Sequence, residues 1–127
     1  MGKSANLARV VDGNGGIGYQ AGRGGTVTQA TSKSTAVTLN KLAGRITLNG
    51  AALAAGATAS FTLNNTSISV NDTLLATLSG SMSSMVNYNV WTYVAEGSAI
   101  IAIKNISAGS LSDAPTINFA VIKGANA

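Results

Sequence analysis

Residues 57–64 read ATASFTLN, and their order decides the fold class. Ala59, Phe61 and Leu63 alternate with Thr58, Ser60, Thr62 and Asn64. Successive side chains of an extended chain point to opposite faces, so this segment has one apolar side and one polar side. The same period of two recurs on both flanks. Val37 and Leu39 alternate within 35–40, Ile46 and Leu48 within 45–49, and Leu74, Ala76 and Leu78 share one face of 73–79. In 86–95 the aligned set is Val86, Tyr88, Val90 and Val94; the stretches 98–106 and 115–123 complete the series, the last with Ile117, Phe119 and Val121. Turn formers separate the runs: Asn49-Gly50, Asn64-Asn65, Asn71-Asp72, Ser79-Gly80, Glu96-Gly97 and Ala108-Gly109. About seven or eight short strands at this spacing predict an all-β fold, a single antiparallel β-sandwich or jelly-roll-like domain. A short helical turn fits only at Ala51–Ala55, confined by Gly50 and Gly56.

Upstream the pattern stops. Residues 13–25, GNGGIGYQAGRGG, hold seven of the fifteen glycines. Glycine loses the most backbone entropy on ordering and brings no side chain to pack. Residues 1–25 are therefore expected to form a flexible Gly-rich N-terminal arm, ordered when laid on a neighbour, with the β domain spanning 26–127. Within this arm Gly13-Asn14-Gly15-Gly16-Ile17-Gly18 matches the dinucleotide fingerprint G-x-G-x-x-G. That motif works when a helix starts inside it and aims amide N–H groups at a pyrophosphate. Tyr19 to Gly25 form too poor a helix for that, and nucleotide binding is not expected.

Composition narrows the function. Charged residues make up 9% of the 127-residue chain and hydrophobic residues 46%, against a usual charged share of about 25%. A surface so poor in ions is expected to be covered by assembly; the alternative is a Ser/Thr/Asn-rich β protein that stays soluble without many charges. The net charge of +4 comes from scattered lysines and arginines, without the dense stripe that phosphate binding needs. Neither nucleic acid nor a membrane is an expected partner: no run approaches a membrane span, and the N-terminus has no apolar signal region. Met1-Gly2 does not start a myristoylation motif, because Asn6 stands where Ser or Thr is required. The chain is expected to fold in a cytoplasm.

The residues of bond chemistry are mostly missing; serine and lysine are present, but no spacing marks out a pair. There is no histidine and no cysteine, which removes the commonest general base, thiolate nucleophiles and disulfides. The four carboxylates are Asp12, Asp72, Glu96 and Asp113, and the last three sit in predicted turns rather than flanking a bond as a glycosidase pair would. No enzyme, cofactor or metal is expected. The triplets Asn-x-Ser/Thr at Asn64, Asn65, Asn71 and Asn105 arise readily in so Ser/Thr/Asn-rich a chain.

One constellation remains. If Val86, Tyr88, Val90 and Val94 face the core, then Asn87, Asn89, Trp91 and Tyr93 face away from it, with the only tryptophan of the chain among them. Exposed aromatics beside amides suit a self-association interface. A sugar-binding platform and a strand buried on both faces are the alternatives. Ile100 and Ile106 also point opposite to Ala99, Ile101 and Ile103.

The segments GGTVTQATSKSTAVTLNK (24–41), LAAGATASFTL (53–63) and NFAVIKG (118–124) resemble a family of small structural proteins of tailed bacteriophages. The resemblance covers much of the chain beyond the arm and is weakest over 80–98. It implies a virion component without catalytic residues, made in the host cytoplasm and placed on the capsid exterior. The implied role is a capsid decoration or cement protein, associating with itself as a trimer or dimer and binding the major capsid protein. Lys3, Arg9 and Arg23 of the arm are then candidate shell contacts. A tail- or head-fibre module touching a host receptor is the alternative role, and a tail-tube or connector component a third.

Overall fold

The computed structural model describes residues 16–126. Eight strands follow in order: β1 (Gly24–Thr28), β2 (Val37–Thr38), β3 (Ala43–Thr47), β4 (Thr58–Asn64), β5 (Thr73–Ser79), β6 (Tyr88–Ala95), β7 (Ser98–Asn105) and β8 (Thr116–Ile122). They form two four-stranded sheets, ordered β1-β3-β8-β5 and β2-β4-β7-β6. Every stretch that alternates in the sequence contributes a strand. The alternation places Ile46, Ile117, Phe119 and Val121 of one sheet in a single apolar cluster with Phe61, Leu63, Ile101 and Ile103 of the other. Full burial of each such side chain contributes about 1.5–3 kcal/mol.

The expectation of antiparallel sheets is corrected: both sheets are mixed. β3–β8, β5–β8, β4–β7 and β6–β7 pair antiparallel, but β1–β3 and β2–β4 pair parallel. The chain alternates between sheets through its first half. β2 lies between β1 and β3 in sequence but belongs to the other sheet, so the chain re-enters the first sheet running in its original direction. Among the described strands only β6 and β7 are joined as a direct hairpin, through Glu96-Gly97, where Gly97 takes a positive φ of 78°.

Three local expectations also change. Ala51–Ala55 holds no helical turn; Leu53 is buried and forms a two-bond bridge with Leu111 instead. Burial of Leu53 and the bond from the Asn105 amide to its carbonyl (2.8 Å) fix that extended geometry. Residues Met85–Asn87 form a 3-10 turn capped by Ser84, which turns Val86 out of the core set to 70% exposure. The sheet also starts before the expected domain boundary, because Gly24 and Gly25 pair with Ala43 and Gly44. The rest of the expected arm is described only over 16–23, where no helix forms and the Tyr19 hydroxyl donates to the Val121 carbonyl.

Buried polar side chains tie the loops down. Asn65 follows β4 and Asn105 ends β7, the two inner strands of their sheet, and they accept from the Ser67 and Ser107 amides through Oδ1. Their own amides donate to the carbonyls of Lys41, and of Leu53 and Gly109. Two of the Asn-x-Ser triplets are thus internal turns with their amide groups consumed.

The carboxylates serve as clamps. Asp113 accepts from the Tyr88 hydroxyl (2.6 Å) and from the amide and hydroxyl of Ser83 (3.0 Å each). The Tyr88 bond is the main reason its carboxyl lies below the ordinary value; burial opposes it, and the Ser83 bonds and the Lys33 charge assist. Burial pushes the Asp72 carboxyl up, but its bonds to Lys123 (2.5 Å), Gly124 and Ser69 and the Lys123 charge outweigh this and hold it below its ordinary value.

Both folded values lie under the unfolded one, 3.8. The stability these clamps supply is therefore fully present above that pH and is lost as pH falls through the folded values. Urea unfolding should give a nearly constant midpoint down to about pH 5 and a falling one below about pH 4. Asp72→Asn with Asp113→Asn should flatten that acid limb; an unchanged limb would show that other groups set it.

Candidate functional site

The outer face of β4, β7 and β6 is the surface the sequence singled out. Its rows follow from the ladders. Thr58, Lys104 and Asn89 form one row, Ser60, Ala102 and Trp91 the next, then Thr62, Ile100 and Tyr93, then Asn64, Ser98 and Ala95. The centre is apolar and open: Trp91 is 49% exposed, Tyr93 69% and Ile100 38%. Around it lie threonine, serine and asparagine. Lys104 is the one charged side chain in these rows. Glu96 stands at the far end, in the β6–β7 turn, where one oxygen accepts the Val70 amide (3.2 Å).

The face holds its shape because its underside is core. Ile101 and Ile103 of β7 and Phe61 and Leu63 of β4 are buried beneath it, and the Thr92 hydroxyl of edge strand β6 donates to the Leu74 carbonyl of β5 (2.9 Å). Rigid backing lowers the entropy lost when an exposed aromatic is covered.

Asn89, Trp91 and Tyr93 therefore share one face as expected, and Trp91 is not core. Asn87 sits at its margin in the 3-10 turn, opposite Ile106, with its amide donating to Ser83 Oγ (3.3 Å). Ile100, Ala102, Lys104 and the polar row of β4 join the site through the ladder register, which a single strand's alternation does not reveal. Arg23 is exposed just before β1, in the other sheet, and does not join this face. Lys3 and Arg9 lie outside the described residues.

A second apolar surface lies on the outside of the other sheet. A recess of about 490 Å³ is lined by Ile17, Tyr19, Leu75, Ala120 and Ile122, with Lys123 at its edge.

Neither surface carries a histidine or a cysteine, since the chain has none. Among the described residues no group of three His, Cys, Asp or Glu side chains could hold a metal. Asp72, Glu96 and Asp113 each accept a backbone N–H. No helix of the described residues is long and apolar enough to cross a membrane. The arrangement can bind by apolar contact and neutral hydrogen bonding.

No protein-family model matches the chain, and no curated protein or solved structure matches it significantly.

Proposed function

We propose that this protein is a non-enzymatic assembly module that associates with copies of itself through the outer face of β6 and β7. The supporting observation is that Trp91 and Tyr93 stand exposed on one sheet face whose four described rows hold a single charged side chain, Lys104. Desolvating such a face removes few ions from water, and aromatic anchors supply much of the binding energy of interfaces. We read the two sheets as layers of a jelly-roll-like β-sandwich; their shared core and the Thr92–Leu74 bond support this.

The phage resemblance extends the reading to a capsid decoration or cement protein, bound to the exterior of the shell across major capsid protein subunits. Many weak contacts repeated over a shell add avidity without strong single contacts. Basic residues preceding β1, such as Arg23, then reach the shell while the β6–β7 face meets another copy.

The test is stoichiometry in purified particles. About one copy per major capsid subunit is the expected result. A handful of copies per particle would overturn the cement role and favour a fibre module, with Trp91 and Tyr93 as its receptor platform.

A further inference from the structure

We infer that two copies of this chain stack face to face about a twofold axis that crosses the strands midway between the Trp91–Ala102 and Tyr93–Ile100 rows. The inference rests on the self-association reading and specifies its partner and geometry. Strands β6 and β7 place four rows in register on this face: Asn89 with Lys104, Trp91 with Ala102, Tyr93 with Ile100, and Ala95 with Ser98. A rotation about the stated axis reverses the row order while keeping β6 over β6 and β7 over β7. Trp91 of one copy then lies over Tyr93 of the other, twice, so that aromatic rings stack, and the small Ala102 lies over the larger Ile100. The self-complementarity is the condition for an isologous contact.

Charge selects the axis. Lys104 stands at one end of the face and forms no salt bridge among the described residues. Glu96 stands at the opposite end, exposed, with one carboxylate oxygen given to Val70. An axis crossing the strands brings each Lys104 to the partner's Glu96 end, whereas an axis along the strands brings both Lys104 side chains to the same end. Like charges brought together across an interface disfavour that arrangement.

Area fixes the strength. Three to four strands about 4.8 Å apart, with four rows about 6.8 Å apart, present roughly 400–500 Å² in projection. That is below the roughly 600–800 Å² or more per partner that stable specific interfaces bury, and in the range of weak, transient ones. A lone pair should therefore be weak, with Kd in the micromolar range or above.

Sedimentation velocity and native mass spectrometry at about 10–100 µM test this. The wild-type chain should form dimers, with Trp91 fluorescence shifting to the blue as concentration rises. Trp91→Ala with Tyr93→Ala, both at exposed positions, should leave a folded monomer. Lys104→Glu and Glu96→Lys should each weaken the homodimer by about tenfold, because each creates two like-charged ends. Mixing those two variants should restore a 1:1 heterodimer of wild-type strength, since Lys meets Glu at both ends again. Circular dichroism confirms that each variant is folded. If Glu96→Lys unfolds through loss of the Val70 bond, Lys104→Glu mixed with wild type gives the reading: a heterodimer stronger than the variant homodimer and weaker than the wild-type one.

A wild-type trimer, or charge variants that pair as well as wild type, would overturn the twofold while leaving self-association standing. A chain monomeric throughout, with invariant fluorescence, would overturn both. Particle stoichiometry, by contrast, tests the virion role alone.

Discussion

Replacing Lys33 by methionine should lower the unfolding free energy by about 3–5 kcal/mol, measured by urea denaturation. Lys33 is 3% exposed, and its ammonium donates to the carbonyls of Asn49 (2.6 Å), Ala51 (2.6 Å) and Asp113 (2.7 Å). All its N–H groups are used. Burial holds its amine below the ordinary lysine value, opposed by the Asp113 charge. Exchanging a buried ion pair for apolar residues is often neutral, because both polar partners leave together. Here they do not: methionine keeps the length of the side chain, but three backbone carbonyls remain, and an unmet buried acceptor costs about 1–3 kcal/mol. The damage should be local first. The 29–35 loop rests on the same corner through Gln29, which donates to the carbonyls of Lys33 and Thr35 and accepts from the Asn49 amide. A Lys33→Met variant as stable as wild type would show that water reaches those carbonyls.

Gly44→Val should be about as severe, on the order of 3–4 kcal/mol. A Cβ at Gly44 would stand 2.7 Å from Leu39 Cδ2, 2.8 Å from the Gly25 carbonyl oxygen and 2.9 Å from Phe119 Cε2. Leu39 and Phe119 can shift, but the Gly25 oxygen belongs to the β1–β3 ladder and moves only if the strands part. Gly109→Ala is the control: nothing lies within 4 Å of its Cβ position, and the change should stay within about 0.5 kcal/mol. Equal losses at the two sites would remove the close-approach argument.

How much of this was legible in the sequence follows from what alternation encodes. Period two reports which residues share a side of a strand, so Phe61, Ile103 and Val121 were assignable to the core and Trp91 and Tyr93 to the opposite side of β6. Whether that side was open or buried was not legible until the structure showed it exposed. Period two also does not report which strand lies beside which. The parallel pairs β1–β3 and β2–β4 depend on contacts such as Val27 beside Ile46, which are long-range and leave no local mark. Strand β1, GGTVT, was hidden because its glycines read as arm. Their use is close approach: Gly25 lies across from Gly44 where a side chain would not fit. Lys33 looked like one scattered cation among eight, since nothing nearby in sequence announces that Asn49, Ala51 and Asp113 converge on it. The turn at Met85–Asn87 was missed for a simpler reason: Val86 kept the apolar rhythm of the strand while Ser84 capped a turn beneath it.

The strand order also governs when the protein can fold. In the sheet β1-β3-β8-β5 an inner position belongs to β8, the last of the described strands. β3 and β5 have no ladder to each other; each pairs with β8. A nascent chain on the ribosome can assemble β2-β4-β7-β6 once Asn105 has emerged, but its other sheet waits for residues 116–122. Until then the apolar faces of β3 and β5 have no strand between them, and pairings of such wide sequence separation form slowly. The segment 116–122 thus closes the domain, so a copy stalled or clipped before Ile117 exposes sticky half-sheets rather than a smaller folded protein.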